Sequence, residues 1–311
     1  MPPQYPFLHV IKDAEKPKLA RVHIGGSAEN LGDEVPHRFL TALSDCAPFA
    51  EGSSRRELAE AIASPANPLT ARVMVNRIWH HHFGAGLVRT PSDFGFMGDR
   101  PSNPALLDYL AARFVESGWS LKALHREILL SAAYQAGGQR TAQNETIDPE
   151  NRLLWRANLR RLDAEALRDS LLAASGELDL EMGGPPVPLS EAANRRRTVY
   201  GFVSRRKLDG TLALFDFPNP NQTIDRRSIT ITPPQQLFLL NSPFVMDRAA
   251  RLADSVADLP AAGAVRQLYR AIYGRAPAGP ELELGVSYLG SASRAEYAQA
   301  LFNSNEFVLV D

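Results

Sequence analysis

Three consecutive histidines, His80, His81 and His82, stand in the stretch WHHHFGAGLVRTPSDFG, Trp79 to Gly95, just ahead of a glycine-flanked turn. Imidazoles in that number raise two chemistries, metal ligation and general base catalysis. Spacing argues against the first. Two ligands from one helix must be three or four residues apart, whereas His80 and His82 are two apart and point to nearly opposite sides. His125 and Glu127 have the same spacing, and no HxxxH or HxxE run completes a set. We therefore expect no metal and no cofactor. Cys46 is the single cysteine, which excludes zinc ribbons, internal disulfides and haem attachment through a Cys-x-x-Cys-His motif.

The general-base reading needs a carboxylate. Arg89, Asp93 and Asp99 share the loop that leaves the histidine stretch. His81 and Asp93, brought within hydrogen-bond reach, would make an acid–base pair. Asp216 is a third candidate catalytic residue. Beside this stands a plainer reading, in which the loop carboxylates form turns and caps. The Asp-Phe-Gly at Asp93 is not a kinase signature, because neither a Gly-rich loop nor His-Arg-Asp accompanies it. No Gly-x-Ser-x-Gly elbow or phosphate loop is present, and the prolines of MGGPPVP lack the N–H groups a phosphate cradle needs.

Arginine supplies the other chemistry. NRRRTVYGFVSRRK carries Arg195, Arg196 and Arg197, and Arg226 and Arg227 follow beyond FDFPNPNQ. A guanidinium suits bidentate recognition of carboxylate or sulfate. The period-two pattern predicts a strand here, with Tyr200 and Phe202 on one face, available to stack against a sugar ring. The alternative is that these arginines pair with acidic residues of neighbouring helices. Net charge is −1, so nothing favours nucleic acid as a partner.

Behind these residues the pattern is mainly α: a multi-helix globular domain with a small β element and long ordered loops rich in Pro, Gly and Asn. Residues 1–50 read as an extended segment, with FLHVI and ARVHI as strand candidates, and 51–311 as the helical domain. Asn67 with Pro68 and Gly84, and Asn103 with Pro104 and Gly118, are matched helix starts and stops. Ser120 and Asp163 begin two further helices, and LFLLNSPFVMDRAARLA and AVRQLYRAIYG continue the pattern. On a helical wheel, residues 68–83 show an apolar arc of Leu69, Ala71, Val73, Met74, Val75, Ile78, Trp79 and Phe83, with Thr70, Arg77 and His81 opposite. Arg72, Asn76 and His80 form a polar stripe inside that arc. The stripe either ties the helix to its neighbours, with Arg72 on a carboxylate, or lines a pocket. In the second case Asn76, Arg77 and Arg89 become ligand contacts. No run reaches the about 18 apolar residues of a membrane span, and the first residues lack the basic and apolar regions of a secretory signal.

From NPLTARVMVNRIWHHHFGAGLVRTPSDFG onward the chain resembles a planctomycete-specific C-terminal domain family of unknown function, found in large exported proteins alongside cytochrome-c-like domains. The likeness runs through NPALLDYLAARFVESGWSLKALHREILLSAAYQ, DPENRLLWRANLRRLDAEALRDSLL, LALFDFPNPNQ and RRSITITPPQQLFLLNSPFV. Asn103 stands where the family commonly has histidine. The resemblance implies an extracytoplasmic setting and no reaction. Two functions follow as expectations: a non-catalytic binding or scaffold module for acidic polysaccharide or a partner domain, or a hydrolase-like enzyme with a cleft around His81, Asp93 and nearby arginines.

Overall fold

The computed structural model describes residues 10–11, 15, 19–43, 47–49 and 54–310. The first residues of FLHVI and Cys46 lie outside the described residues. The chain folds as two compact units, Met1–Tyr134 and Gln135–Asp311. Among the described residues there are thirteen α-helices and two small antiparallel sheets, which makes the fold mainly α.

In the first unit, β1 (Ala20–His23) pairs antiparallel with β2 (Leu31–Val35), with an irregularity between Arg21 and His23. Four helices follow: α1 (Arg55–Ala63), α2 (Pro68–Phe83), α3 (Pro104–Glu116) and α4 (Leu121–Leu129). Their starts follow local chemistry. The side chains of Asn67, Asn103 and Ser120 accept from the backbone N–H groups of Leu69, Leu106 and Ala123, satisfying donors that a helix N-terminus leaves unpaired. Gly84 ends α2 at φ 79°, its N–H on the His80 carbonyl, a left-handed cap that suits glycine.

Two residues of the inlaid stripe of α2, Arg72 and Asn76, and His82 beside it, act as ties. Arg72 Nε donates to Asp108 of α3 at 2.7 Å. His82 Nε2 meets His125 Nδ1 of α4 at 2.7 Å. Asn76 is fully buried; its Nδ2 donates to the Val88 carbonyl at 2.9 Å and its Oδ1 accepts the Val88 N–H at 2.8 Å. That clamp holds the chain back against α2. A Cβ on Gly86 would come within 2.7 Å of the Asn76 amide, so the clamp needs glycine there. Two wheel positions differ from expectation. Met74 is exposed and shares the outer face with Arg77 and His81, whereas Thr70 is half-buried because its hydroxyl donates to the Ile62 carbonyl at 2.6 Å.

The second unit begins with α5 (Ala142–Ile147), β3 (Arg160–Arg161), α6 (Ala164–Ala174) and α7 (Gly210–Leu214). It continues through α8 (Pro233–Asn241), α9 (Pro243–Asp254), α10 (Ala261–Tyr273), α11 (Gly279–Tyr288), α12 (Arg294–Phe302), α13 (Asn305–Val308) and β4 (Leu309–Val310). β4 returns to pair antiparallel with β3, Arg161 opposite Leu309. The core is built from Leu167 and Leu171 of α6, Leu239 of α8, Val245 of α9, Leu268 of α10 and Phe302 of α12. Arg275 binds Glu281 through two hydrogen bonds of 2.7 Å and Glu306 through two more of 2.6 and 2.7 Å, joining the starts of α11 and α13.

The predicted strand across Arg195–Lys207 does not form. Thr198–Tyr200 is a 3-10 turn, flanked by single bridges from Arg196 to Asp179 and from Gly201 to Val187. Side chains have taken the groups a strand would pair. Asp169 accepts both the Thr198 N–H at 2.7 Å and its hydroxyl at 2.6 Å, and Arg168 binds the Arg196 carbonyl. Tyr200 accordingly stacks on Arg196, with 4.4 Å between guanidinium and ring centroid, while Phe202 is exposed.

Two measurements check these ties. Asn76→Ala strands the Val88 N–H and carbonyl, and chemical denaturation is expected to show a loss of about 2–4 kcal/mol. The Arg275 guanidinium and the Ala278 N–H hold the Glu281 carboxyl at about 2, against an ordinary 4.5. The unfolded chain therefore takes up that proton first, so this contribution is complete above about 4.5 and is lost as pH falls towards about 2. Melting temperature should vary less with pH across that window in Glu281→Gln than in the wild type.

Candidate functional site

Two helices of the second unit each carry an arginine on the face that packs inward. In α6 Arg168 lies between buried Leu167 and Leu171; in α9 Arg248 lies between buried Val245 and Leu252. Relative exposure is 6% for Arg168 and 3% for Arg248. Both line a cleft of about 260 Å³, whose apolar wall includes Leu167, Leu171, Phe215, Phe238 and Phe244. The two guanidiniums lie 5.3 and 4.9 Å from the centroid of the Phe244 ring. Such cation–aromatic contact is favourable but does not replace the hydrogen bonds a guanidinium loses on leaving water.

The two arginines differ in how those hydrogen bonds are met. Arg168 Nη1 donates to the Arg196 carbonyl at 3.0 Å and the Thr198 hydroxyl at 3.1 Å, and Nη2 donates to the Asn194 carbonyl at 2.8 Å. It holds the 194–198 turn against α6. Arg248 has its charge matched, but its Nε and Nη1 donors are unmet. Its Nε lies 2.6 Å from Glu177 Oε2 without the alignment of a hydrogen bond, and its buried Nη1 has no partner among the described residues. Burial pulls both guanidiniums below their ordinary range. Glu177 opposes this at Arg248, and Arg195, which also binds Glu177 at 2.9 Å, adds repulsion. The remaining polar lining is Ser190, Glu191, Thr211, Ser242 and Asp247, with both carboxylate residues exposed.

The residues singled out from sequence fall elsewhere. His81 and Asp93 belong to the first unit, Asp216 and Arg227 to the second. Asp93 shapes a turn: its Oδ1 accepts the Gly95 N–H at 2.9 Å and its carbonyl accepts the Thr90 hydroxyl at 2.8 Å. His81 is exposed, Arg89 is half-buried, and Arg77 lines an apolar groove with Leu69, Met74, Phe114 and Trp119. Asp216, at φ 62°, accepts from Arg161 at 2.5 Å and from the Thr230 N–H at 2.9 Å and hydroxyl at 2.9 Å. Burial would raise its carboxyl, but these bonds together hold it below the usual range.

The arginine cluster is mostly engaged within the chain. Arg195 binds Glu177 and the Ala192 carbonyl. Arg196 binds the carbonyls of Glu181, Gly183 and Pro185, fastening the MGGPPVP loop. Arg227 makes a fork to Glu165 at 2.7 and 2.8 Å, reaches Asp163 at 3.3 Å and lies 5.1 Å from the Phe217 ring centroid. Arg197 and Arg226 are exposed. The sequence does not single out Arg168 and Arg248, because isolated arginines in helical runs read as surface residues. A usable signal was their phase: each falls three residues from apolar positions on the buried face. Among the described residues no group of three or more His, Cys, Asp or Glu is placed to hold a metal, and no helix is long and apolar enough to cross a membrane.

The model of the PSD1 family, described as a protein of unknown function (DUF1553), matches residues 54–289, and the chain belongs to that family. Comparison with curated proteins and with solved structures finds no match.

Removing Glu177 tests the charge arrangement of the cleft. Glu177→Ala leaves Arg248 buried without its counter-charge, a change expected to cost about 3–5 kcal/mol. Urea denaturation monitored by circular dichroism reads it. A loss below about 1 kcal/mol, typical of an exposed pair, would show that Arg248 does not depend on Glu177.

Proposed function

We propose that this member of a family of unknown function is a non-catalytic binding module, and that the cleft of the second unit receives the acidic group of a saccharide. One observation carries the reading: Arg248 is 3% exposed, lines the cleft and has an Nη1 with no partner among the described residues. A buried donor left unmatched costs about 1–3 kcal/mol, and a carboxylate or sulfate oxygen at that position would recover it. Arg168 adds positive charge to the same cleft, and Glu177 prevents the pair from being a bare double cation. The aromatic and leucine lining suits a ring more than a bare ion.

A partner domain is the other class of ligand for such a module. The small volume of the cleft, about 260 Å³, favours a small group over a protein surface, because protein interfaces bury hundreds of square ångströms per partner.

Affinity electrophoresis through gels containing carboxylated or sulfated polysaccharide tests the reading. The wild-type protein is expected to be retarded by at least one of them, and Arg248→Gln to bind about 10- to 100-fold more weakly. That range corresponds to about 1.5–3 kcal/mol for a hydrogen bond to a charged group. A thermal melt of Arg248→Gln must remain cooperative for the comparison to count. Retardation unchanged in a folded Arg248→Gln protein would remove the cleft as the binding site.

A further inference from the structure

We propose that the cleft takes a single hexuronate residue with its carboxylate inward, either as the free sugar acid or as the end of a chain; the inference rests on the anion-binding reading above. The polar groups of the cleft are divided by depth. Arg168 and Arg248 are buried, whereas Glu191 and Asp247 are exposed and line the same space. A ligand matching that order has one anionic group to place at depth and neutral hydrogen-bond donors to place nearer solvent. Carboxylates only accept hydrogen bonds when ionised, so Glu191 and Asp247 favour hydroxyl groups and disfavour a second negative charge. Ser190, Thr211 and Ser242 add hydroxyls that both donate and accept.

The body of the ligand follows from the walls. Phe215, Phe238 and Phe244 line the cleft, and the C–H face of a pyranose is an apolar surface suited to aromatic walls. A volume of about 260 Å³ lies below the roughly 300–1,000 Å³ of pockets that hold drug-sized molecules. One ring fits that space better than a run of several. A planar carboxylate matches a guanidinium edge in two parallel hydrogen bonds, and Arg248 has an unmet Nη1 donor to contribute. A sulfate ester carries the same single charge on a bulkier tetrahedral group, which matches a guanidinium edge in a small space less well than a planar carboxylate.

Isothermal titration calorimetry of the full chain separates this inference from the broader one. The ligands are glucuronate, galacturonate, glucose, glucose 6-sulfate and cyclohexanecarboxylate. One hexuronate is expected to bind at least 10-fold more tightly than glucose, which lacks the carboxylate, and than cyclohexanecarboxylate, which lacks the hydroxyls. Asp247→Asn should weaken that hexuronate about 5-fold while leaving cyclohexanecarboxylate unchanged or tighter. Arg248→Gln should weaken every acid. A galacturonate disaccharide reduced at one end distinguishes a chain end from the free sugar acid. Equal binding of cyclohexanecarboxylate and hexuronates, or tighter binding of glucose 6-sulfate, with Arg248→Gln still disruptive, overturns the hexuronate inference and leaves anion binding intact. No binding of any acid to the folded wild-type chain overturns both.

Discussion

The burial of two guanidiniums beside Phe244 is the constraint around which the second unit is arranged. An arginine on the inner face of a helix brings several donors and a full charge into a region of weak screening, where each one left unanswered costs free energy. Arg168 is answered by carbonyls, so the chain from Asn194 to Thr198 has to lie against α6 with its oxygens turned inward. Arg248 is answered by a carboxylate, so Glu177, just beyond the end of α6, has to lie beside α9. The path of the chain after α6 is therefore set by acceptors that the two arginines require, more than by any regular ladder. This explains why a segment with a strand-like pattern of side chains forms a turn: its backbone oxygens and N–H groups had already found side-chain partners.

The first unit uses the same device in neutral form. Asn76 is as deeply buried as any residue in its helix, and its amide reproduces the pair of hydrogen bonds that a neighbouring strand would offer Val88. In this way a loop is fixed to α2 without a sheet. Gly86 keeps the approach open, and the nearby Asp93 and Thr90 turn closes the next bend. Long loops rich in Pro, Gly and Asn can be ordered in a mainly helical protein because buried polar side chains satisfy them one group at a time.

How much of this was legible depended on the distance over which each cause acts. Helix starts at Asn67, Asn103 and Ser120 were readable because a cap involves two or three neighbouring residues. The ion pair of Arg72 was readable in kind, since an arginine inside an apolar arc needs a carboxylate, although nothing local identified Asp108. The α11 segment has weak apolar spacing, and the local cues to its start are confined to its first-turn proline and the Glu281 carboxylate that accepts the Ala278 N–H. Arg195, Arg196 and Arg227 drew attention because they are clustered, yet clustering in sequence does not show whether acceptors are already present in space. Their partners lie up to 64 residues away.

That difference decides which arginine can recognise something else. A guanidinium whose Nη groups meet carbonyls, as in Arg196, or that forks a carboxylate, as in Arg227, can accept a ligand at those groups only by giving up bonds it already has. Recognition there starts from a deficit. Arg248 has its charge balanced by Glu177 but retains a donor without an acceptor, in a cleft with aromatic walls. On the proposed reading, an oxygen reaching that donor would displace no protein hydrogen bond and would meet a positive charge already held in place. Charge balance and hydrogen-bond balance are separate requirements. A residue that satisfies the first and not the second can be tolerated by the fold, and Arg248 is such a residue on the wall of a cleft, whereas the buried Arg196 Nε, also unmatched, belongs to the knot that fastens the MGGPPVP loop.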